Sequence, residues 1–141
     1  MKKYLLLSCT VLFFSCSNVK SLFNNEKSFP QYSNDLTLKK LNASESDKSL
    51  IFFTSNFAND TIEVVSGVNR LFKKSFTTEN TVGLAGYEVI PNTQKAKISI
   101  ESIRTHINLK EKELKKYKYI YVSKDGKHIL IEYTNKAKMF M

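Results

Sequence analysis

The 141-residue sequence predicts an all-β fold: an antiparallel β-sandwich of about seven to eight strands over residues 49–141, behind an apolar leader (1–15) and a polar segment (16–48). Three observations predict it. Eight short runs of strand formers lie between Leu50 and Thr134, turn residues separate them, and several runs are apolar on both faces, as central strands are.

In chain order, Ser17 to Lys48 is rich in Ser, Asn and Lys and reads as a tether. A flexible chain of that length spans roughly 30 Å. Phe29-Pro30-Gln31-Tyr32 is a candidate docking point within it, and Leu36, Leu38 and Leu41 suggest a short edge strand. Leu50-Ile51-Phe52-Phe53-Thr54 is a compact strand, and Asn59-Asp60 breaks the chain after it. Thr61 to Val65 alternates with Ile62 and Val64 on one face, Ser66-Gly67 turns the chain, and Arg70 to Thr77 returns with Phe72 and Phe76. Leu84 to Ile90 is the next strand, where Gly86 marks a bulge or a close backbone approach. Pro91-Asn92-Thr93 is a turn, with Pro setting φ.

Ala96, Ile98 and Ile100 alternate with Lys95, Lys97, Ser99 and Glu101, a strand with one wet face. Ile103, Thr105, Ile107 and Leu109 keep the same period. Helix competes here, because Ile103, Ile107 and Leu114 share a helical face; the β-branched residues favour strand for 103–109, with a helical turn over Lys110 to Lys116. Tyr117 to Ser123 and His128 to Thr134 form a hairpin around Asp125-Gly126, which suits a two-residue type I′ turn. That register sets Val122 opposite Ile129 and Ile120 opposite Ile131, with Tyr117, Tyr119 and Tyr121 on the other face; a three-residue turn with a bulge at Gly126 would change the pairs. Met139-Phe140-Met141 is apolar enough to tuck back.

Charge is unevenly placed. Residues 16–94 hold 8 basic and 8 acidic side chains, while 95–141 hold 12 basic and 5 acidic, an excess of +7. Such asymmetry fits either a surface for anions such as phospholipid headgroups, acidic glycans or nucleic acid, or a solvated Lys-rich face.

The leader has a basic start (Lys2, Lys3), an apolar run from Tyr4 to Phe14, and the small Ser15 directly before Cys16. The run is too short to span a membrane, which takes about 20 residues. Phe13-Phe14-Ser15-Cys16 resembles the lipobox of bacterial lipoproteins, although that pattern prefers aliphatic and smaller residues where Phe13 and Phe14 stand. Leu6-Leu7-Ser8-Cys9 fits by letter but leaves too short an apolar run. The resemblance implies cleavage between Ser15 and Cys16 and attachment of palmitate-type acyl chains to Cys16, giving a cell-envelope protein held on a membrane, with outer membrane or cell surface favoured. Two or more chains anchor stably at about 0.8 kcal/mol per buried methylene. An ordinary signal peptide, cut nearby to leave a soluble protein, is the alternative. With Cys9 in the leader and Cys16 acylated, no thiol pair remains for a disulfide.

The search for chemistry is nearly empty. His106 and His128 are not in a metal-ligand spacing, no serine lies in a nucleophile elbow, and the four glycines are scattered. No catalytic residue, metal or cofactor is assigned. The candidate ligand-binding residues are Tyr117, Tyr119 and Tyr121 beside Lys115, Lys116 and Lys118: rings beside cations stack on sugars or bases, but tyrosine also covers sheet faces for structural reasons. Asp60-Thr61-Ile62 resembles the O-glycosylation acceptor of exported Bacteroidetes proteins, which makes Thr61 a candidate site. The expectation is a non-enzymatic envelope lipoprotein whose domain binds or assembles with a partner, an envelope protein or an acidic glycan, and not nucleic acid. The alternatives are a polyanion-binding module built on the basic last third, or a small enzyme with an illegible site.

Overall fold

The computed structural model describes residues 18–25 and 31–140; the leader with Ser15 and Cys16, and the Phe29-Pro30 pair, lie outside the described residues. In chain order the described elements are β1 (Val19–Phe23), α1 (Gln31–Lys40), β2 (Lys48–Phe53), β3 (Asp60–Ser66), β4 (Asn69–Phe76), β5 (Gly86–Pro91), β6 (Ala96–Ile100), a 3-10 turn (Glu101–Ile103), β7 (Thr105–Leu109), α2 (Glu111–Lys116), β8 (Tyr119–Asp125) and β9 (His128–Thr134). They make a β-sandwich: a five-stranded sheet in the order β1-β9-β8-β2-β5 faces a four-stranded sheet in the order β4-β3-β6-β7. The smaller sheet is antiparallel throughout, as expected. The larger one is mixed, since β1 runs parallel to β9 and β2 parallel to β8.

The period-two strands behave as their patterns dictate. Ile62, Val64, Ile98, Ile100, Ile107 and Leu109 point inward from the smaller sheet and meet Ile51, Phe53, Ile120, Val122, Ile129 and Ile131 from the larger one, all buried. Each such side chain contributes about 1.5–3 kcal/mol by leaving water. β2 and β8 are central and buried on both faces. On their outer face Leu50, Phe52, Tyr119 and Tyr121 form a second apolar layer, covered by Leu38, Leu41, Ala43, Ala137 and Phe140. Gly86 is a close approach: a Cβ there would sit 2.7 Å from the Phe76 ring, which packs on Phe53.

Three local readings change. Residues 17–48, expected as a tether, contain β1 and α1. Ile129 N–H donates to the Asn18 carbonyl at 2.7 Å and β1 continues in register along β9, so backbone pairing holds a stretch whose side chains show little pattern. Leu36, Leu38 and Leu41 belong to α1 and its last turn, not to an edge strand; Leu38 and Leu41, three apart, share a helical face over the outer layer. In the final hairpin the turn residues are Gly126 and Lys127, so Val122 pairs with Ile131 and Ile120 with Tyr133. Positive φ occurs at Gly126 (58°) and not at Lys127, the type II′ arrangement, which takes glycine first. The partners move by two residues, an even number, so the side chains of β8 and β9 keep their expected faces; Tyr117, which precedes β8, turns instead into the inter-sheet core.

One buried ion pair pins the sheets together. Lys124, near the end of β8, reaches the Asp60 carboxylate at the start of β3 at 2.6 Å, with Asp60 only 1% exposed. Ser102 Oγ also donates to Asp60, and Ala58 N–H donates at 2.8 Å. Burial pushes the Asp60 carboxyl upward, but the Lys124 ammonium and these two donors outweigh it and hold it below the ordinary carboxylate value.

Candidate functional site

The fold gathers the charge of the last third at one end of the sandwich. Residues 95–97 open β6, and 110–118 follow β7, form α2 and lead into β8; together they bring seven lysines and two glutamates to this end, where Glu45, Asp47 and Lys48 also lie beside Lys118. At the other end, Lys20, Lys73, Arg104, Lys124 and Lys127 nearly balance Asp60, Glu79, Glu101 and Asp125, with Lys73 paired to Glu101.

At the basic end lies a groove of about 450 Å³ lined by Val65, Gly67, Lys95, Ala96, Lys97, Asn108, Leu109 and Lys110. Its form follows from strand ends. β6 and β7 pair with Ala96 opposite Leu109 and Lys97 opposite Asn108, and their buried apolar residues turn Lys97, Asn108 and Lys110 outward. Lys95 comes from the turn, whose carbonyl accepts the Gly67 N–H at 3.0 Å. Gly67 holds φ of 60°, a left-handed backbone that favours glycine, and a Cβ there would displace the flexible end of the Gln94 side chain. Lys95, Lys97 and Lys110 are exposed and, among the described residues, make no ion pair; no carboxylate lines the groove. β7 is an edge strand, so a ligand meets ammonium groups, an amide and unpaired backbone together.

Most of the residues singled out from the sequence do other work. Tyr119 and Tyr121 are buried under the outer layer and Tyr117 in the inter-sheet core, with its hydroxyl donating to Asn25 Oδ1 at 2.6 Å, so the three rings form no open stacking face. Burial pushes the Tyr121 hydroxyl well above its ordinary value and that of Tyr133 up to about 12. Lys115 pairs with Glu111 one helical turn away, and Lys116 lies over the Tyr117 ring at 5.1 Å. Lys118 Nζ donates to the Glu45 and Lys48 carbonyls, both at 2.6 Å, and burial lowers its pKa. Tyr117 and Lys116 do line a smaller hollow of about 360 Å³ with Phe23, Asn25, Lys112 and Glu113 at the same end. Thr61 is half-buried within β3, 3.4 Å from Ser75 Oγ, between buried Asp60 and Ile62. His106 Nδ1 lies 2.9 Å from Ser99 Oγ on the smaller sheet, and His128 is at the hairpin tip on the larger one. Among the described residues no cluster of three His, Cys, Asp or Glu side chains can hold a metal.

Lys95, Lys97 and Lys110 were not singled out from the sequence. The sequence signals were the charge excess of residues 95–141, which includes all three, and the alternation of Lys95 and Lys97 with Ala96 and Ile98; their meeting with Lys110 needs the β6–β7 pairing. Compared with known proteins, the chain matches no protein-family model and no curated sequence.

Proposed function

We propose that the protein is a non-enzymatic, lipid-anchored protein of the bacterial cell envelope whose sandwich domain binds an acidic polymer, foremost an acidic glycan. The observation that carries this is the groove of three lysines that make no ion pair among the described residues, on an end where basic side chains outnumber acidic ones, while the opposite end is nearly charge-balanced. Ammonium groups on flexible stems suit carboxylate, sulfate or phosphate groups repeated along a chain, and such contacts weaken as salt screens them. The lipid anchor rests on the Phe13-to-Cys16 resemblance. On this reading the domain needs no reacting group, only a rigid frame for its lysines.

The test is retention on a carboxylated or sulfated polysaccharide matrix under a salt gradient. A Lys95→Gln/Lys97→Gln/Lys110→Gln variant should elute at clearly lower salt than wild type. Lys20→Gln/Arg104→Gln/Lys127→Gln removes equal charge from the other end and should elute with wild type. Equal losses from both variants would reduce the effect to net charge and remove the groove from the argument.

A further inference from the structure

The position of β1 sets which way the domain faces. Asn18 and Val19 lie against Ile129, at the hairpin-tip end of the larger sheet, and β1 then runs away from that end, parallel to β9. Cys16 precedes Asn18 by two residues. An extended chain covers at most about 3.3–3.6 Å per residue, so the Cys16 backbone lies within about 7 Å of Asn18. A thioether-linked lipid on Cys16 therefore leaves no room for a long tether. We infer that the charge-balanced end of the sandwich, with the Asp125–His128 hairpin tip and the Ser55-Asn56 loop, rests directly against the phospholipid headgroups, and that the basic groove points away from the bilayer. This rests on acylation of Cys16, as proposed above.

Three observations agree. The hairpin-tip end is polar and near neutral in charge, which suits a zwitterionic headgroup surface. It carries an open groove of about 690 Å³, walled by Lys20, Ser55, Asn56, Asp125 and His128 among others, that gives headgroups donors and acceptors. The lysine groove lies at the far ends of the strands, about 20 Å away for strands of six or seven residues. That exceeds the Debye length at physiological salt, about 8 Å, so its charge is screened from the anchoring leaflet. The anion it meets is then a polymer extending over the membrane, not a lipid of the same leaflet.

The experiment uses the acylated protein in phosphatidylcholine vesicles carrying a headgroup nitroxide quencher. Acylation leaves no other thiol in the mature chain, so Lys127→Cys and Lys110→Cys each accept one fluorophore; Lys20→Cys and Lys95→Cys are a second pair at exposed positions of the same two ends. Probes at 127 and 20 should be quenched, and probes at 110 and 95 should keep the emission seen without quencher. Equal quenching at both ends, or stronger quenching at 110 and 95, would overturn the orientation while leaving acylation intact. Failure of wild type to float with the vesicles would overturn the acylation itself, and the orientation with it.

Discussion

Lys124→Met tests whether the Asp60–Lys124 pair holds the two sheets together. Methionine keeps an apolar stem beside the Phe57 ring, over which the lysine ammonium lies at 5.9 Å, and removes only the charge. Asp60 is then buried with Ser102 and Ala58 as its remaining donors. Removing one partner of a buried pair costs about 3–5 kcal/mol, and the two surviving hydrogen bonds place this case near 3 kcal/mol. That is a large share of the roughly 5–15 kcal/mol that holds a small domain together. At about 4 °C per kcal/mol for a domain of this size, the melting temperature should fall by about 12 °C. The pH dependence gives a sharper check. In wild type the Asp60 carboxyl is held low, so its contribution is present above the unfolded value of about 3.9 and is lost as pH falls through the folded value. In Lys124→Met, burial raises the same carboxyl, which picks up its proton early and relieves the unpaired charge. Urea unfolding should therefore show a wide gap between the two proteins at pH 7 that narrows toward pH 4. A difference below about 1 kcal/mol at pH 7 would mean that solvent or local rearrangement satisfies Asp60 without its partner, below the cost of even an ordinary unsatisfied buried group. A gap independent of pH would show that the loss comes from packing and not from the carboxylate.

Gly86→Ala should destabilise the domain by about 1–3 kcal/mol, because the new methyl meets the packed Phe76 ring; thermal melting reads this, and an unchanged midpoint would show that the ring moves freely aside. Gly126→Val adds a side chain in open space, so only the left-handed backbone resists it; the expected loss is about 1–3 kcal/mol, with Lys127→Ala near zero, and equal small effects would refute the turn assignment. Tyr121 and Tyr133 have folded values above that of an unfolded tyrosine, so stability should be complete below about pH 10 and decline above it; an ultraviolet titration showing all tyrosines ionising together before unfolding would refute their burial. Cys16→Ala should leave a precursor or release the protein from the membrane fraction, and a variant still labelled by fatty acid would refute anchoring at this residue.

The strands and their inward faces were legible because alternation is local. Ala96, Ile98, Ile100, Ile107 and Leu109 can each be read from a neighbour two residues away; of the 103–109 stretch expected as strand, Thr105–Leu109 is strand, while Ile103 ends a 3-10 turn and Arg104 takes a left-handed backbone that breaks the run. The hairpin partners were read two residues out, since either Asp125-Gly126 or Gly126-Lys127 supplies a two-residue turn and only the backbone decides. β1 was not legible: Val19-Lys20-Ser21-Leu22-Phe23 joins the sheet through backbone pairing with a strand more than a hundred residues away. The burial of the tyrosines was not legible for the same reason: Leu38, Leu41, Ala137 and Phe140, which cover Tyr119 and Tyr121, come from distant parts of the chain, and Tyr117 packs in the inter-sheet core. The charge excess was visible in the last third, but the groove needed the β6–β7 register to bring Lys95 and Lys97 beside Lys110.

The pairing of β1 with β9 also orders events in time. A chain made from its N-terminus completes β1 first and β9 last, and β1 has no other neighbour in its sheet. Val19–Phe23 must therefore wait, unpaired, while more than a hundred residues follow it. Pairings across such separations form slowly, because loop-closure entropy is lost before contacts compensate it. The β3–β4, β6–β7 and β8–β9 pairs use short connections and can close earlier. A chain ending at Asp125 would lack any template for its first strand, so protection of Lys20 from protease would appear only once the last strand has arrived.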